Sequence, residues 1–158
     1  MNRLMSATLL AAAATAALSG AAQADVSKPV IAAFKGQIVV TKGDLPAGKS
    51  DKDTVGKIKS ERLKAVTGEK GEEVTHWEFH YTAFLTKVGA TNLKMEFFRD
   101  GSQLAADKQL DGIDPKSAVL SGDISIDEDE GLAKGKSYVV KLVTDKHVTV
   151  ATTPLTMN

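Results

Sequence analysis

The residues able to carry chemistry are few. The 158-residue chain has no cysteine and three histidines, His76, His80 and His147. Thiol nucleophiles, disulfides and thiolate metal sites are therefore excluded. No Gly-x-Ser-x-Gly elbow and no Gly-x-Gly-x-x-Gly turn occurs. Gly131-Leu132-Ala133-Lys134-Gly135-Lys136-Ser137 ends like a phosphate-binding loop. Its glycines stand one residue too close, however, and a strand pattern follows where that motif needs a helix. No catalytic residue and no cofactor-binding residue is assigned.

Two polar clusters remain. His76, Glu78 and His80 alternate along Val74–Leu85, so a strand puts all three on one face. Residues two apart on a strand are separated by ~6.7 Å and residues four apart by ~13 Å. Neighbours in the set can share an ion, whereas the two histidines alone cannot easily do so, and zinc needs three or four converging ligands. A solvated or internally paired polar face is the expectation. The second cluster is the acidic run Asp127-Glu128-Asp129-Glu130-Gly131. Asp127-x-Asp129-x-Gly131 matches part of a calcium loop, but the closing bidentate Glu is missing. Four acids in a turn are expected to solubilise it and to discourage edge-to-edge pairing. Metal binding through His76, Glu78 and His80, or through Asp127 and Asp129 of the acidic turn Asp127–Glu130, is the alternative reading.

The elements that must position these groups begin after an address. Met1-Asn2-Arg3, the apolar Leu4–Leu18 and the Ala22-Gln23-Ala24 box read as a cleaved signal peptide over 1–24. The apolar run is shorter than the ~20 residues of a membrane span. The expected destination is the periplasm or the medium, with 25–158 as a single domain. Formal net charge is zero, with acids and bases interspersed. That excludes a basic field for nucleic acid or a polybasic patch for anionic lipid. Oligomeric state and partner are left open.

Val30–Phe34 and Gln37–Thr41 read as one strand broken near Gly36. Ser50 or Asp51 caps a short helix from about Asp51 to Arg62, whose wheel gathers Val55, Ile58, Leu63 and Val66. The next strand presents Trp77, Phe79, Tyr81, Ala83 and Leu85 to the core, because three large rings at period 2 bury the most apolar area. Phe84 falls on the opposite face, either under the helix or turned inward by a bulge. Leu93, Met95 and Phe97 lead to a hairpin at Arg99-Asp100-Gly101-Ser102, returning through Leu104, Ala106 and Leu110. Leu120, Ile124 and Ile126 line the following strand. Tyr138, Val140 and Leu142 line the next, and Val148–Thr152 forms the last, which Pro154 either marks as an edge or ends as a regular ladder.

Leu132-x-x-Gly135-x-x-Tyr138 resembles the tyrosine corner of Greek-key β-sandwiches, in which a Tyr bonds backbone upstream of its strand. Together with the Asp100-Gly101 hairpin, it makes Val74–Met157 similar to immunoglobulin and fibronectin type III domains. The chain departs from antibody domains by lacking the paired cysteines, by placing Trp77 one strand early, and by inserting a helix. It also resembles small exported bacterial proteins with a Trp-x-Phe-His-Tyr strand. The resemblance implies an all-β, immunoglobulin-like Greek-key β-sandwich of about seven strands, with one short helix between the first two. The function expected is non-catalytic: an exported module that binds a protein, a glycan or a small ligand.

Overall fold

The computed structural model describes residues 25–158; the expected signal peptide lies outside the described residues. The chain forms α1 (Lys28–Phe34), β1 (Ile38–Thr41), α2 (Asp51–Glu61), β2 (Ala65–Val66), β3 (Glu69–Lys70) and β4 (Thr75–Phe84). β5 (Leu93–Arg99), β6 (Gln103–Leu110), β7 (Val119–Asp127), a 3-10 turn (Glu128–Glu130), β8 (Lys136–Thr144) and β9 (Thr149–Met157) follow. The described chain is thus mostly β, with two sheets and two helices. No helix in it is long and apolar enough to cross a membrane.

β4 is the spine of the first sheet. β7 pairs along one of its edges, from His76↔Asp127 to Phe84↔Val119. β1 and β3 share the other edge, β1 beside His80–Ala83 and β3 beside Thr75–His76. The second sheet runs β2-β9-β8-β5-β6, antiparallel except for β2 with β9. Gln37 forms a parallel bridge to Thr152 and so joins the sheets at one side.

One apolar cluster fills the space between the sheets. Trp77, Phe79 and Tyr81 of β4 and Ile124 and Ile126 of β7 meet Met95, Phe97, Tyr138, Val140 and Leu155 of the second sheet. Each such side chain contributes about 1.5–3 kcal/mol on leaving water. Trp77 also donates its indole N–H to the Asn158 carbonyl at 3.0 Å. Tyr138 is buried, and its hydroxyl oxygen accepts from the Ala133 N–H at 2.8 Å, closing the corner over Leu132. Pro154 costs this arrangement no donor. Thr152 and Thr156 turn their N–H groups away from β8, to Gly36 O and Lys64 O, and alternation puts position 154 on that same open side.

The first segment departs from expectation. Val30–Phe34 is helix, so the chain has a second helix besides the one anticipated. Pro29 sits in the first turn, where its missing N–H would have had no partner. Val30 and Phe34, one turn apart, bury on the same side. A short apolar run carries no periodicity that separates strand from buried helix.

This helix creates a second core on the outer face of the first sheet. Val30, Phe34, Val39, Ile58, Phe84 and Val119 form it. Phe84 therefore lies beneath the helices, its ring centroid 5.3 Å from that of Phe34. α2 starts where Ser50 Oγ accepts from the Asp53 N–H at 3.2 Å and ends at Arg62, whose N–H reaches Ile58 O. Leu63 and Val66, expected on the helix, lie past its end and pack on the main core. Leu104 is also corrected, being half exposed. A register shift between Phe97 and Phe98 leaves Ala105 as an extra residue, and Leu104 loses the inward parity.

Two measurements test this packing. Tyr138→Phe should cost on the order of 1 kcal/mol in urea unfolding, because the Ala133 N–H loses its acceptor. Burial, reinforced by the charge of Asp123, pushes the Tyr81 phenol up to about 12. The folded state favours the neutral ring, so this contribution is complete below the ordinary value of 10 and is lost as pH rises towards 12. Tyr81→Phe should abolish that loss, about 1.4 kcal/mol, when stabilities at about pH 8 and about pH 11 are compared.

Candidate functional site

The β4–β7 register writes a row of polar pairs across the outer face of the first sheet. His76 faces Asp127, Glu78 faces Ser125, His80 faces Asp123 and Thr82 faces Ser121. His76 Nδ1 lies 2.5 Å from Asp127 Oδ1, and His80 Nδ1 lies 2.9 Å from Asp123 Oδ1. Thr82 and Ser121 share a buried hydroxyl–hydroxyl bond of 2.9 Å. Sequence reasoning found the β4 half of this face and missed Ser121, Ser125 and the pairing of Asp123 with His80. Their signal was the same alternation in the next long strand; only the register could match the two.

His76 continues the chain on its other side, with Ser125 Oγ 3.4 Å from Nε2. Asp127, His76 and Ser125 thus have the connectivity of an acyl-transfer relay. The register partner of Ser125 is Glu78, an exposed acid on the same face.

The candidate metal ligands pair off separately. Among the described residues, no three His, Cys, Asp or Glu side chains are grouped so that they could hold an ion. In the acidic turn, Asp127 and Glu130 form a capping box in which the Asp127 N–H donates to Glu130 Oε1 at 3.0 Å. The other oxygen of Glu130 meets Lys108 Nζ of β6 at 2.5 Å. Glu128 Oε2 accepts from the Thr75 N–H of β4 at 3.2 Å. The turn therefore ties β7 to β4 and to the opposite sheet, while Asp129 stays exposed. Gly131 completes it at φ +115°; a Cβ there would lie 2.0 Å from the Ala105 carbonyl oxygen.

A groove of about 510 Å³ opens beside His80. His80 and Ser121 line its floor, and Asp25–Ser27 and Asp44–Asp51 line its walls. The His80 side chain is 13% exposed, against 39% for His76, so the two histidines differ in surroundings. The walls are held by local bonds. Ser27 Oγ donates to Asp51 Oδ1 at 2.6 Å, the Gly48 N–H to Thr54 Oγ1 at 2.9 Å, and the Lys49 N–H to Asp53 Oδ2 at 2.9 Å. Gly48 is required by crowding, since a Cβ would fall 2.5 Å from Asp53 Oδ2. The volume lies within the ~300–1,000 Å³ usual for small-molecule sites.

The clasp has a pH signature. Hydrogen bonds from Thr75 hold the Glu128 carboxyl below its ordinary value. The bond from Lys108, followed by that from the Asp127 backbone, does the same for Glu130. Lowered carboxyl values mean stability that is present above the unfolded carboxylate range and lost as pH falls through the folded values. Glu128→Gln and Glu130→Gln should each be less stable than the parent at neutral pH. Both differences should shrink in acid, as read from urea midpoints across the acid limb.

Comparison with protein-family models, with curated proteins and with solved structures finds no match for this chain.

Proposed function

We propose that the chain is an exported, non-catalytic binding protein whose ligand is a small polar molecule seated in the groove above His80. The observation that carries this reading is the groove itself, roughly 510 Å³ in volume and built by the N-terminal segment, the loop before α2 and the sheet face. Its lining mixes acids (Asp25, Asp44, Asp51), two basic side chains (Lys49, His80) and apolar groups such as Val26 and Leu45. That mixture suits a small molecule with a charged or hydroxylated end and an apolar body.

Export rests on the leader pattern of residues 1–24, with the periplasm or the medium as destination. An immunoglobulin-like assignment is supported by strand order. Taking the longer strands β1, β4, β5, β6, β7, β8 and β9 as A, B, C, C′, E, F and G gives sheets A–B–E and C′–C–F–G. The non-catalytic reading is supported by the sequence, which holds no cysteine and no Gly-x-Ser-x-Gly nucleophile elbow.

Thermal unfolding with a panel of free amino acids, small amines and sugars tests the proposal. A ligand present at about 100 times its Kd should stabilise the protein by about 2.7 kcal/mol. Ala47→Trp, which fills the groove from an exposed wall position, should erase that shift. No response to any compound, or a shift indifferent to Ala47→Trp, would overturn the groove as the site. A midpoint that falls on adding chelator would favour ion binding instead.

A further inference from the structure

β7 has one edge on β4 and one that no described strand covers. The direction of its backbone groups follows from a single bond. The Leu85 N–H donates to Ala118 O at 2.9 Å, immediately beyond the Phe84↔Val119 pair. Ala118 therefore aims its carbonyl at β4. With no register shift in the pairing, Leu120, Gly122, Ile124 and Ile126 do the same. Val119, Ser121, Asp123, Ser125 and Asp127 turn their N–H and C=O groups to the open edge.

The two ends of that edge are already occupied. At Val119, the Ser117 hydroxyl donates to the carbonyl and accepts from the N–H at 3.3 Å. At Asp127, the Glu130 carboxylate takes the N–H at 3.0 Å. Between them, Ser121, Asp123 and Ser125 have no backbone partner on that side among the described residues; Ser121 is buried in the groove floor, and Asp123 and Ser125 are exposed. This window is guarded by its acids alone. β7 carries no Lys, Arg or Pro and makes no bulge with β4, although edge strands commonly use such devices against added strands.

The geometry points to a docking site for an extended, basic peptide segment of another protein, added as a strand along Asp123–Ser125. Backbone pairing would supply affinity, and alternate side chains would supply selectivity. The charge around the window selects the occupant. The Asp123 side chain is 70% exposed, and Glu78 and Asp129 are exposed nearby on the same face or at its end. Lys108 of β6 is held by Glu130, and Asp123 meets His80 through Oδ1 alone. A second copy fits worse, because a two-fold pairing centred on the window sets the two Asp123 side chains diagonally across from each other on one face. This inference is independent of the groove, since it uses the strand's backbone edge.

The test uses the chain spanning 25–158 and a labelled short peptide of alternating lysine and valine, read by fluorescence anisotropy. Ser125→Pro removes one outward N–H and no β4 bond, so the thermal midpoint should hold while binding weakens by about tenfold or more. Asp123→Asn, which keeps the fold by a different route, should weaken binding and flatten its salt dependence. A glutamate–valine peptide should not bind. Equal binding by a lysine–glycine peptide interrupted with proline would overturn strand addition in favour of charge alone. Unchanged affinity in both variants would overturn the site. A dimer in sedimentation that Ser125→Pro dissolves would make the occupant a second copy.

Discussion

The unbroken pairing of β4 with β7 fixes three surfaces at once. Because side chains alternate strictly along a strand, the register that buries Trp77 against Ile126 also sets His76 beside Asp127 on the other side. The same parity decides which β7 backbone groups face β4 and which face outward. A slip of one residue would expose the aromatic row and bury the charged one. The core, the polar face and the free edge are therefore one decision, enforced by the apolar area of three rings.

The end of β7 shows how the two sheets are kept in step. The acids after Ile126 look like a solubilising run, yet all but Asp129 spend their carboxylates on neighbours. Thr75 takes Glu128, Lys108 takes Glu130, and His76 takes Asp127. Gly131 then passes so close to Ala105 that no side chain fits, and the chain enters the corner locked by Tyr138. The clasp and the corner are consecutive in sequence and join opposite sheets, so a lost carboxylate bond loosens the entry to β8. The oxygens of Asp127, Glu128 and Glu130 point to different partners, and that accounts for three of the four acids structurally.

Much of this was legible because it rests on local chemistry. The Ser50 cap, the Asp100-Gly101 turn, the aromatic face of β4 and the Tyr138 corner each depend on residues close in sequence. What was not legible depends on distant partners. Val30–Phe34 is equally apolar as strand or buried helix, and only the cluster with Ile58 and Phe84 settles it. Leu104 was misplaced because the extra residue at Ala105 is a property of the pairing. His76, Glu78 and His80 were visible as a set, while Asp123 and Ser125 became their partners only through the register. The groove could not be foreseen at all, since it joins residues near 25, 47, 80 and 121.

The two outer edges of the sheets are managed differently, and the difference follows from these same contacts. β6 ends the second sheet and is blunted: a bulge interrupts it at Ala105, Gly131 lies against the carbonyl there, and Lys108 is drawn to Glu130. β7 ends the first sheet and is blocked only at its tips, by Ser117 and Glu130. The protection of its middle is electrostatic, resting on Asp123 and the acids around it. A carboxylate repels an identical edge but attracts a cationic one, whereas a bulge repels both. An edge guarded in this way resists self-pairing without resisting every partner.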